Sequence, residues 1–78
     1  MEIKVLENNN VLVQKSGRYF LIEKYHIIGS CSECYAIYED IYNNLENFLN
    51  SEEEDRYSFG SDYSTLEECL KALQICVL

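Results

Sequence analysis

A chain of 78 residues with 47% hydrophobic and 13% aromatic content has the means to fold, and room for one thin core in a single domain, residues 1–78. Its formal net charge of -8 disfavours direct contact with nucleic acid or an anionic membrane, because such a field repels phosphate and attracts basic protein surfaces. No segment reaches the length of a membrane span, and the start has neither the basic region nor the apolar run of a signal peptide, so the expected location is cytoplasmic, with reduced thiols.

The charge is uneven. Lys4, Lys15, Arg18 and Lys24 face only Glu2, Glu7 and Glu23 in residues 1–26, whereas eleven acids face Arg56 and Lys71 in the remainder.

Met1 to Glu7 alternates apolar and polar residues and predicts a strand. Asn8-Asn9-Asn10 predicts a turn, Val11-Leu12-Val13 a second strand, and Ser16-Gly17 a tight hairpin turn into a third strand, Arg18 to Ile28. That strand carries Tyr19, Leu21, Tyr25 and Ile27 on one face and Phe20, Ile22 and Ile28 on the other, the pattern of a strand covered on both sides.

Residues 33–50 support two readings. Cys34, Ile37, Ile41, Leu45 and Phe48 recur at helical spacing, yet Tyr35-Ala36-Ile37-Tyr38 has the aromatic and β-branched content of a strand. An internal similarity adds weight to the strand: Tyr42-Asn43-Asn44-Leu45-Glu46 and Tyr63-Ser64-Thr65-Leu66-Glu67 share a pattern of tyrosine, two polar residues, leucine and glutamate. Asn43 with Glu46, and Ser64 with Glu67, predict capped helix starts. The second helix, Thr65 to Ile75, carries the stripe Leu66, Cys69, Leu70, Leu73 and Val77. Between the helices lie the charge run Ser51-Glu52-Glu53-Glu54-Asp55, a short strand Arg56 to Gly60 and a turn from Gly60 to Asp62. The expected fold is α+β: a small antiparallel sheet of four or five strands with two short helices packed on one face.

Cys31-Ser32-Glu33-Cys34, with His26 upstream, offers Cys31, Cys34 and His26 as ligands for tetrahedral zinc, and Cys69 or Cys76 as a fourth. The second half-site is missing, and both C-terminal cysteines fall on the helix stripe, where a thiol acts as a small hydrophobe. A redox dithiol would need a strand-helix context that the hairpins do not supply. Paired carboxylates such as Glu39-Asp40 and Glu67-Glu68 read as solvated faces. The expectation is therefore a protein that is not an enzyme and needs no cofactor, with zinc as the alternative.

Acids interleave with tyrosines at Tyr35, Tyr38, Glu39, Asp40, Tyr42, Asp55, Tyr57, Asp62 and Tyr63. Tyrosine buries area at low entropic cost and carboxylates steer a basic partner. Tyr19, Tyr25 and Tyr38 are assigned to the core. Glu52, Glu53, Glu54, Asp55, Tyr57 and Asp62 are the expected partner-binding residues.

In its size and in the acidic stretch Glu46 to Glu68, the chain resembles the small acidic anti-defence inhibitors encoded by phages, anti-CRISPR proteins among them. The resemblance implies an inhibitor that occludes a nucleic-acid-binding surface of a basic host protein, in the host cytoplasm. It carries no motif, so no residue roles come with it. Two further expectations are a zinc-stabilised adaptor and a small homodimeric regulator that buries a sheet edge.

Overall fold

The computed structural model describes residues 1–26, 28–29, 32–51 and 56–77. Five strands, β1 (Glu2–Val5), β2 (Val11–Lys15), β3 (Arg18–His26), β4 (Glu33–Glu39) and β5 (Tyr57–Tyr63), form one antiparallel sheet in sequence order. Helix α1 (Leu45–Asn50) interrupts this meander between β4 and β5, and α2 (Leu66–Cys76) closes it. No helix among the described residues is long and apolar enough to cross a membrane.

The turns follow from local chemistry. Ser16 and Gly17 both have positive φ (55° and 75°), the backbone of the two-residue turn whose twist matches its flanking strands. In the β1–β2 turn Asn9 is left-handed (φ 68°), and Asn8 Oδ1 accepts the Asn10 N–H at 3.1 Å. Asparagine tolerates that conformation because its side chain bonds the backbone locally.

The ambiguous stretch is a strand followed by a helix. Residues 33–39 pair with β3 from Glu33 opposite His26 to Glu39 opposite Phe20, so the β-branched and aromatic run prevails over the helical spacing. Both helix caps lie one residue later than expected. Asn44 Oδ1 accepts the Asn47 N–H at 3.2 Å and Thr65 Oγ1 accepts the Glu68 N–H at 3.1 Å. Asn43 is instead left-handed (φ 54°), and the Ser64 N–H donates to Glu68 Oε2 at 2.9 Å. The glutamate that reaches back is thus Glu68, three residues after the true cap.

The helices occupy opposite faces of the sheet, not the single face expected. Val11, Val13, Phe20, Ile22 and Ile37 form a core with Cys69, Leu73 and Val77 of α2. Leu21, Ala36 and Tyr38 form a second core with Phe48 of α1. The two-sided apolar pattern of β3 demands this, since one helix layer would leave Leu21 or Phe20 in water. Tyr38 is buried as assigned, whereas Tyr19 and Tyr25 are only half-buried.

The expected turn at Gly60–Asp62 lies inside β5. Between the pairs Tyr35–Tyr63, Ile37–Gly60 and Tyr38–Ser58 the register shifts twice, each time with one extra residue on β5, so two bulges absorb the turn-forming residues. Asp62 is left-handed there (φ 66°). Gly60 leaves room for the Tyr63 ring, since a Cβ would meet the Tyr63 hydroxyl at 2.6 Å.

Of the two cysteines placed on the α2 stripe, Cys69 is buried and Cys76 is exposed. Burial, and secondarily the charge of Glu68, pushes the Cys69 thiol from 9.0 up to about 11. A folded value above the unfolded one means the thiol's contribution is complete below the unfolded value and lost as pH rises through the folded one. Urea titrations should therefore show stability falling as pH rises from 9 to 11. Cys69→Ala should remove that part of the slope.

Candidate protein-binding groove

At one end of the sheet the chain leaves β4, crosses to α1 and returns into β5. Asp40 ends the pairing of β4 with β3 by donating its N–H to the Tyr19 carbonyl at 3.0 Å. Ile41 and Tyr42 then run over the surface, exposed, with Tyr42 83% accessible. These residues, with Asn44, Asn47, Phe48 and Ser51 of the α1 region and Arg56 and Tyr57 on the return, enclose a groove of about 250 Å³. That is small for a drug-sized ligand and sized for a side chain projecting from a partner.

Two carboxylates reach this groove, and their environments differ. Glu39 is satisfied: Arg18 Nε and Nη2 donate to its two oxygens, each at 2.8 Å. Asp40 Oδ2 is buried and accepts no hydrogen bond from a described residue. Such an oxygen costs stability where it stands and is set to gain from an incoming donor. Tyr57, 54% exposed, and Tyr42 stand at the rim, and aromatic faces attract a cation.

The groove wall is held by Arg56. Its side chain is 7% exposed and paired through Nη1 with Glu23 Oε1. Nε donates to Ser51 Oγ and Nη2 to the Leu49 carbonyl, each at 3.4 Å, and the guanidinium lies 5.8 Å from the Tyr38 ring centroid and 5.7 Å from that of Phe48. Six residues make a helix too short to persist alone. Phe48 burial and this arginine fasten α1 to the sheet.

Of the residues expected to bind a partner, Glu52, Glu53, Glu54 and Asp55 lie outside the described residues. Their chain neighbours on both sides, Ser51 and Arg56, line the groove, as does Tyr57. Asp62 is at the far end of β5, where it accepts a hydrogen bond from the Tyr25 hydroxyl, which pushes that phenol up to about 12. Tyr57 and Asp62 therefore belong to different surfaces. Glu39, Asp40, Ile41 and Tyr42 were not assigned to the site from the sequence. The available signal was the break in alternation after Tyr38, where two acids precede two large apolar residues with no buried partner in sequence.

The proposed zinc ligands are placed differently. Cys34 pairs with Tyr25 and His26 with Glu33, so the Cys34 and His26 side chains leave opposite faces of the ladder. Cys31 lies outside the described residues. Among the described residues no group of three or more His, Cys, Asp or Glu side chains could hold a metal ion.

Comparisons with protein-family models, with curated proteins and with solved structures give no match for this chain.

Proposed function

We propose that this protein is an acidic binding module that inhibits or regulates a basic, nucleic-acid-handling protein by contact and not by catalysis. A lysine or arginine of the partner enters the groove between Tyr42 and Tyr57 and donates to Asp40, while Glu52, Glu53, Glu54 and Asp55 meet further basic residues. The observation that carries this reading is the buried Asp40 Oδ2, which lacks a described donor inside an aromatic-rimmed groove. The concentration of eleven acids against two basic residues beyond residue 26 supplies the long-range attraction. Occupying the surface that binds phosphates would compete with nucleic acid, in the manner of the phage-encoded inhibitors that the chain resembles.

The test is affinity capture of tagged protein from host lysate at low and high salt. A basic nucleic-acid-binding protein should be retained at low salt and weakened at high salt, because exposed charges separated by about 10 Å are screened at ordinary ionic strength. Retention of the same proteins by a Glu52→Lys, Glu53→Lys, Glu54→Lys variant would refute the reading.

A further inference from the structure

The other edge of the sheet supports a second interaction, independent of the groove. β1 and β5 are the edge strands among the described residues. β5 is blunted by its two bulges, a usual protection against edge pairing. β1 pairs with β2 in unbroken register, from Glu2 opposite Gln14 to Val5 opposite Val11. Its apolar residues are uncovered, Ile3 50% and Val5 65% exposed.

The direction of the free backbone groups follows from the hairpins. A two-residue turn makes Lys15 and Arg18 a hydrogen-bonded pair, so Val11, Val13 and Lys15 bond to β3, and Asn10, Leu12 and Gln14 bond to β1. The Leu6 N–H to Asn10 carbonyl bond, at 2.8 Å, belongs to that series. Glu2 and Lys4 thus direct their backbone groups to β2, while Ile3 and Val5 turn theirs outward.

We infer that β1 pairs antiparallel with β1 of a second copy of this chain, about a two-fold axis at Ile3, to make a continuous sheet. In this register Ile3 faces Ile3, Met1 faces Val5, and Glu2 faces Lys4 of the other copy. The outward N–H and C=O groups at the odd positions meet one another. The Glu2–Lys4 contacts fall at the non-hydrogen-bonded positions, where side chains approach most closely. The neighbouring in-phase registers set Lys4 against Lys4, or Glu2 against Glu2, and like charges directly opposite are unfavourable. The charge distribution agrees: a chain of net charge -8 can approach its copy only through its least acidic part, and residues 1–26 carry four basic residues against three acids.

Sedimentation of the full chain across the micromolar range tests this, with circular dichroism to verify folding. The wild type should show a monomer–dimer equilibrium. Glu2→Lys alone, or Lys4→Glu alone, places like charges at both contacts and should weaken the dimer about tenfold or more. An equimolar mixture of the two variants should associate again, since every contact then pairs Lys with Glu, and the double variant E2K/K4E should dimerise like the wild type. A wild type that stays monomeric, a dimer indifferent to both single substitutions, or a mixture that fails to associate would each overturn the inference.

Discussion

Arg56→Ala should lower the melting temperature by about 15 °C, from a loss of about 3 kcal/mol in a domain this small. The side chain is almost wholly buried and satisfies Glu23, Ser51 and the Leu49 carbonyl while covering Tyr38 and Phe48. Removing it leaves the Glu23 carboxylate, among the described residues, with only the Asn10 amide, at 3.2 Å, and removes one of the ties between α1 and the sheet. An uncompensated, partly buried charge costs more than the pair contributed. Arg56→Lys keeps the charge but not the planar fork, so it should recover only part of the loss. The double variant Glu23→Gln, Arg56→Met should be more stable than Arg56→Ala, because no lone charge remains. Thermal melts of the three proteins test this, and equal melting temperatures for Arg56→Ala and the wild type would contradict it.

Asp40→Asn should separate stability from binding. The carboxylate oxygen without a donor is a liability in the free protein, so replacing it with a neutral group of the same shape should leave stability unchanged or raised. Binding to the basic partner should weaken about 30-fold, the scale of a desolvated charge pair losing one member. A variant destabilised as strongly as Arg56→Ala, with affinity intact, would make Asp40 a structural residue and remove it from the site.

Much of the fold was legible because short-range chemistry decides it. Ser16-Gly17, and Asn9 within the Asn8-Asn9-Asn10 turn, adopt the left-handed backbone that their composition suggests, and the α2 stripe from Leu66 to Val77 faces the core as its spacing requires. The failures lie where two signals competed or where the answer depends on distant residues. Gly60-Ser61-Asp62 has the composition of a turn, but pairing with β4 draws it into a strand as bulges. The helices fall on opposite faces because β3 and β4 need cover on both sides, which the length of the β4–α1 connection does not reveal. Cys76 is exposed although Val77 after it is buried, so spacing along α2 does not by itself place its last residue.

The candidate groove was only partly legible in position. Interleaved acids and tyrosines pointed to a basic partner, and Tyr57 stands at the groove. Asp62 is drawn away by Tyr25 at the other end of β5, a contact set by strand register and bulge together. The sequence does not single out Asp40, because a carboxylate next to Glu39 reads as a solvated face. What distinguishes the two is Arg18, which occupies both Glu39 oxygens from the neighbouring strand β3 and leaves Asp40 Oδ2 without a donor among the described residues.

The central claim, that the acidic groove and the adjoining charge run displace nucleic acid from a basic protein, is tested most directly by competition. The captured partner is loaded with labelled nucleic acid and titrated with the wild type and with the Glu52→Lys, Glu53→Lys, Glu54→Lys variant, each verified as folded. The wild type should release the nucleic acid at stoichiometric concentration, less effectively as salt is raised, and the variant should not. Release by the variant at the same concentration as the wild type, or a partner that keeps its nucleic acid while saturated with the wild type, would contradict the account.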